Sequence, residues 1–177
     1  MAEQDIDKLI HTIESIGIVD SPDVSIPMPM HCQVLPPQPW DKKAFEESLG
    51  ITLPLAIIYL WDRTSGLHLF EDVTYGQWGL IFWSPDRVIT EQDKRITQRQ
   101  EDFCPGDLII AEFLGDSDLL VLRCDATAPD FGNVIIALPL DSREEWYLAA
   151  NSLENFLSQF LAANGDKFWE NQAQLTA

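Results

Sequence analysis

Beyond Gly66 the sequence breaks into a series of short apolar runs, "GLHLFED", "QWGLIFW", "DLIIAEFL", "DLLVLRCD" and "NVIIALPL", each bounded by turn residues. Ile, Val, Leu, Phe and Trp dominate them, and such side chains fit a pleated, half-buried surface, so the runs read as strands. The link "GDS" between the third and fourth is far too short for a parallel crossover, which needs about a dozen residues. A hairpin fits it, and the sheet is expected to be largely antiparallel. Between the second and third runs lies "SPDRVITEQDKRITQRQED". Ser84 is placed to cap a helix and Pro85 to open it, and the polar run that follows predicts one or two helical turns and then a mobile loop.

Helical spacing governs the rest. In "DIDKLIHTIESIG", Ile6, Leu9, Ile10, Ile13 and Ile16 recur on one face, and Gly17 suits the left-handed residue that ends a helix. From Ile18 to Pro39 the chain is dense in proline, which removes backbone donors and biases its predecessors away from helix. An extended connector is expected there, packed on the main body through Val24, Ile26, Met28, Met30, Val34 and Leu35. "DKKAFEESLG" reads as a short helix capped by Asp41, packed through Phe45 and Leu49, and closed by Gly50. "LPLAIIYLWDRTSG" follows, with Pro54 in a first turn where its missing amide costs nothing. Leu55, Ile58, Tyr59 and Trp61 are expected on its buried side, and Gly66 as its stop. Last, "NSLENFLSQFLAANG" sets Leu153, Phe156, Leu157, Phe160 and Leu161 on one stripe, with Asn151 or Ser152 as cap and Gly165 as stop. These elements predict an α+β fold, a largely antiparallel sheet of about five to six strands with N-terminal helices and a C-terminal helix packed on it. Residues 1–39 would form the helix and connector, and residues 40–177 the α+β domain.

Charge narrows the function. The chain has 29 acidic and 11 basic residues and a formal charge of -18. Such a surface repels phosphate and lacks the counterion release that drives nucleic-acid binding, so no direct nucleic-acid contact is expected. A basic protein is the natural partner, although acidity also serves plain solubility. No apolar run approaches the roughly 20 residues of a membrane helix, and "MAEQDIDKLI" is acidic where a signal peptide is basic. A soluble, cytoplasmic protein without membrane contact, a monomer or weak dimer, is expected.

No motif points to catalysis. Neither GxxxxGK[ST] nor GxGxxG occurs, and Ser65 sits at a helix end, not on the strand-to-helix elbow of a GxSxG hydrolase. Cys32, Cys104 and Cys124 are widely spaced with no CxxC pair, so they read as small apolar side chains, and His31 beside Cys32 as a loop residue. Neither metal nor cofactor is expected. "EFLGDSD" gathers Glu112, Asp116 and Asp118, a tempting acid pair, but Asp bonds nearby amides and is at home in turns without chemistry. His68 alone of the histidines adjoins the sheet, with no nucleophile visible beside it. Recognition has more support: Trp61, Trp78, Trp83, Trp146 and Trp169 are many rings for a small core, although core packing accounts for most of them. "FEDVTYGQWG" holds Glu71, Asp72, Tyr75 and Trp78 in one strand-loop-strand passage. With Glu112, Asp116 and Asp118 they form the candidate partner-binding set.

The order of these motifs resembles the SUKH superfamily, in which a Leu-Pro pair opens a helix, an aromatic follows, and a glycine closes it before the first strand. Leu53, Pro54, Tyr59 or Trp61, and Gly66 occupy those positions. "WGLIFWSPDRVITE" looks like the family's strand and short helix, "GDLIIAEFLGDSDLLVLRCD" like its central hairpin, and "LAANSLENFLSQFL" like its closing helix. Ser65 stands where the family usually has Asn, and the glycine-rich turn is reduced to "LGDSD". The resemblance covers roughly Trp40 to Leu161. It implies binding, not catalysis: bacterial members are typically immunity proteins that neutralise toxin domains, often nucleases, and fungal relatives regulate cell-wall synthesis. A regulatory scaffold without a toxin partner is the alternative, and an uncharacterised hydrolase the more distant one.

Overall fold

The computed structural model describes residues 2–20 and 29–171 of the chain. The Ile6/Ile13 stripe folds as α1 (Ala2–Ile16), with both side chains fully buried. The segment expected as a connector instead supplies two strands, β1 (Ile18–Asp20) and β2 (Pro29–Val34). Proline is tolerated there because Pro29 stands at the first residue of β2, where a missing donor does least harm, and Pro36, Pro37 and Pro39 follow its end. Val24, Ile26 and Met28 lie outside the described residues. Helix α2 (Lys42–Leu49) is capped as expected, the Asp41 carboxylate accepting from the Ala44 amide at 3.1 Å and Gly50 taking the left-handed conformation.

Helix α3 (Leu55–Arg63) follows Leu53-Pro54, with Pro54 as its N-cap. Its buried face is Ala56, Ile57, Leu60 and Trp61, whereas Leu55 is 59% exposed and Ile58 and Tyr59 are half-buried. The expected stripe was therefore rotated, because Trp61 sets the face: its indole donates to the Trp83 carbonyl at 3.0 Å and meets the Trp40 and Phe45 rings edge-on. Nor does Gly66 stop the helix, which ends at Arg63. A Cβ at Gly66 would stand 2.7 Å from the Phe82 carbonyl oxygen, so its glycine permits close approach of two strands.

Those strands are β3 (Leu67–Asp72) and β4 (Leu80–Phe82), followed by α4 (Pro85–Gln98), β5 (Asp107–Phe113), β6 (Leu119–Arg123), β7 (Val134–Ala137), β8 (Tyr147–Ala150) and α5 (Leu153–Ala162). The sheet has eight strands where about five to six were expected, β1, β2 and β8 being the additions, and all run antiparallel in chain order. Leu80 stands opposite Phe113, and Leu120 opposite Ile136. Helix α5 buries all of Leu153, Phe156, Leu157, Phe160 and Leu161 and is capped by Ser152. Phe160 meets Phe70 and Phe113 of the sheet, and a 3-10 turn (Phe168–Asn171) adds Trp169 to the same cluster. Trp61, Trp83, Trp146 and Trp169 are all core. Cys32 and Cys124 are buried, but Cys104 is exposed on the loop before β5.

Helix α4 runs for 14 residues, where a turn or two and a loop were expected. Ser84 caps it as the sequence indicates. Its length escapes an apolar count because a buried face residue is Gln92, whose side-chain amide donates to the Asp107 carbonyl at 2.7 Å and accepts from the Ile109 amide at 3.0 Å. On its β5 side β4 pairs with Ala111–Phe113, and the Trp83 amide just beyond it reaches the Ile110 carbonyl, so Gln92 takes the next ladder position, which β4 is too short to fill. Just beside it, Asp107 has a fully buried side chain held by Arg123 at 2.8 Å and Arg143 at 2.6 Å, and it accepts from the Cys104 amide at 2.8 Å. Gln92→Ala would leave two buried backbone groups unpaired; urea denaturation is expected to show a loss of about 1–3 kcal/mol.

Candidate protein-binding surface

The candidate residues are set by two loops at one end of the sheet. At the close of β3, Asp72 is buried and its carboxylate accepts from the Thr74 and Tyr75 amides at 2.9 and 3.0 Å, shaping the turn into the β3–β4 loop. That loop exposes Val73 and Tyr75. Across from it, the β5–β6 turn is shaped by Asp116, which accepts from the Asp118 amide at 3.2 Å, with Ser117 at a φ of 66°. The two loops are in contact. Leu114 donates to the Gly79 carbonyl at 2.9 Å, and a Cβ at Gly115 would run into the Gln77 carbonyl.

Lys167, from the segment after α5, fills the junction. Its ammonium donates to Asp118 at 2.8 Å and to Asp116, and lies 5.8 Å from the Trp78 ring centroid and 5.0 Å from that of Phe113. Burial pushes the Asp118 carboxyl above its usual range, and Lys167 offsets this only in part. Burial also acts to lower the Lys167 pKa, but its bonds to Asp116 and Asp118 outweigh that and hold it above the ordinary lysine value.

Trp78, Asp116 and Asp118 thus converge around one cation, with Tyr75 on the same loop. Glu71 lies at the base, its carboxylate 3.2 Å from His68 Nδ1. Glu112 does not join them. Phe113 faces α5, so its neighbour Glu112 projects to the other face of the sheet. There it accepts from Arg87 at 2.9 Å and from Arg95 at 3.4 Å, while both guanidinium groups cover the Trp83 ring. Sequence reasoning missed Lys167 altogether. It stands far along the chain in "GDKFWEN", where no periodicity marks it, and only the shortage of cations in so acidic a chain hinted that each would be used.

His68 borders a cavity of about 210 Å³ with Ser65, Trp83, Ser84 and Arg87. Among the described residues no group of three or more His, Cys, Asp or Glu side chains is arranged to hold a metal ion, and no helix is long and apolar enough to cross a membrane.

The helices packed on an antiparallel sheet make the α+β fold that the resemblance to SUKH proteins implied. The family model of the SMI1 / KNR4 family (SUKH-1) matches residues 36–159, and the chain belongs to that family. No curated protein matches it significantly. Family membership makes the chain a toxin-immunity or SMI1/KNR4-type module at the level of the family. The matched span begins after β2, so α1, β1 and β2 lie outside it.

Lys167→Met would leave Asp118 buried without its cation, and thermal or urea denaturation at neutral pH should show a loss of about 3–5 kcal/mol. An Asp118 pKa raised in the folded state favours folding while the group is protonated, and that contribution is lost as pH rises through the raised value. The gap between wild type and Lys167→Met should therefore narrow as pH falls through that value. Adding Asp118→Asn to the variant should restore part of the loss.

Proposed function

We propose that the chain is a non-catalytic, acidic protein-binding module, most concretely an immunity protein that neutralises a basic toxin domain such as a nuclease. The binding surface is the sheet end carrying Glu71, Asp72, Tyr75, Trp78, Asp116 and Asp118; Glu112, on the opposite face and held by Arg87 and Arg95, stays outside it. The observation that carries this reading is the meeting of the two loops: a half-buried tryptophan and an exposed tyrosine sit beside a cluster of carboxylates on a chain of charge -18. Aromatic anchors ringed by charge suit a contact whose encounter is steered by electrostatics and whose energy comes from a few rings. A nuclease is cationic where it grips phosphate, so an anionic partner competes for that same surface.

In this reading Asp72, Asp116 and Asp118 have two tasks. They hold the loops in shape through backbone amides and Lys167, and they add negative potential that reaches about a Debye length, near 8 Å at physiological salt. Direct contact falls mainly to Tyr75, Trp78 and Glu71. The molecule acts in the cytoplasm, where a toxin would otherwise reach nucleic acid.

The partner can be captured from the native cell with the tagged full chain and identified by mass spectrometry. Tyr75→Ala should weaken its binding by about 1–3 kcal/mol, the range of an aromatic hot spot, with little change in folding stability. Asp116→Asn should slow association and flatten its salt dependence. A captured partner whose affinity ignores both changes would rule out this surface, and capture of an acidic protein would rule out the charge argument.

A further inference from the structure

A second recognition feature lies away from the sheet end, between α2 and α4. Two cavities follow one another along the same pair of walls. The first, about 320 Å³, lies among Trp40, Phe45 and Ile89. The second, about 400 Å³, lies among Leu49, Ile51, Ile96 and Phe103. Along α4 the wall is made by Asp86, Ile89, Asp93 and Ile96, one helical stripe at alternating spacings of three and four residues, and Gln100 follows beyond the helix end. At 1.5 Å per residue the stripe from Asp86 to Ile96 is about 15 Å long. Ile89 is 38% exposed, a large apolar side chain on a helix that is otherwise polar outward.

The charge on the walls has one sign. Asp41, Asp86 and Asp93 are exposed and line the two cavities, and no Lys or Arg does. Among the described residues none of these three carboxylates is in an ion pair, whereas Asp107, at the far end, is already neutralised by Arg123 and Arg143. An apolar trough with an uncompensated acidic rim matches an amphipathic helix whose apolar face enters the trough and whose flanks carry Lys or Arg. A second copy of this chain is a poor fit, since its own amphipathic helix α1 carries Glu3, Asp5 and Asp7 and would bring like charge to the rim.

We propose that the α2–α4 trough is a docking site for a cationic amphipathic helix of a partner protein, about three turns of which match the α4 stripe. The proposal rests on the reading that the chain binds a basic protein, but it uses different residues from the sheet end. Gln92 links the two purposes of α4: bonded to β5, it fixes one wall so that the trough is preformed.

The test uses the full chain labelled with nitrogen-15 and a synthetic leucine–lysine peptide of about 14 residues, with leucines spaced three and four apart so that they share one helix face. Amide shifts confined to residues 41–51 and 85–104 are the expected result. A peptide of identical composition with its leucines scattered around the helix should bind about tenfold more weakly, and so should the designed peptide to Ile89→Ser or to Asp86→Lys, both surface changes. Equal binding of the two peptides would overturn the proposal by reducing the effect to bulk charge. Shifts at residues 72–78 and 114–118 would overturn it while leaving the sheet-end surface standing. Concentration-dependent shifts in the trough without peptide, with a dimer mass in sedimentation, would overturn it in favour of a second copy. The sheet-end reading fails separately, through the Tyr75→Ala measurement on the captured partner.

Discussion

The burial of Asp107 at the start of β5 is the constraint on which both proposed binding surfaces depend. A carboxylate with no solvent contact is tolerable only if its charge is matched and its lone pairs are filled, and Arg123, Arg143 and the Cys104 amide do this. The arrangement ties the first residue of β5 to the end of β6 and to the turn before β8. From that anchor Gln92 seats α4 against β5, which forms one wall of the trough. At the other end of the same strand Phe113 meets α5 and the Lys167 ammonium, and the β5–β6 turn begins. One strand therefore carries positional information from a buried ion cluster to both ends.

The negative charge is less evenly spent than the composition implies. Every arginine is ion-paired, several of them within the fold: Arg63 reaches Glu3 and Asp7 of α1, Arg87 and Arg95 share Glu112, and Arg99 holds Asp102. Cations are consumed in holding the fold, and the outward surface is left strongly anionic. Internal cohesion and the outward negative potential thus come from the same imbalance, and they draw on different residues.

The sequence showed the central strands, the capped helices α2 and α5, and the fold class, because strand runs between turns and a wide apolar stripe are signals carried by neighbouring residues. It hid what depends on distant partners. Helix α4 looked short because Gln92 replaces an apolar side chain on its inner face. The proline-dense segment looked like a connector because β1 gains its place by pairing with β2, and β2 by pairing with the distant β3, which no local pattern records. At the candidate surface, Trp78, Asp116 and Asp118 were legible as types in suggestive positions, but their convergence requires Lys167, which follows the two aspartates by 51 and 49 residues and Trp78 by still more. Glu112 shows the opposite error: "EFLGDSD" gathered it with Asp116 and Asp118, and strand alternation sends it to the face opposite Phe113, where Arg87 and Arg95 hold it.

Because each strand pairs only with its predecessor and successor, most of the sheet can be laid down in the order in which synthesis delivers it. Helix α1 is the exception, since it packs on α3 and on α5 at the far end of the chain. Its seat is complete only after the last helix has emerged. The architecture thus gives a low contact order to the sheet and reserves one long loop closure for the final docking step. A nascent chain would hold a nearly finished meander while its earliest helix still waits for a place.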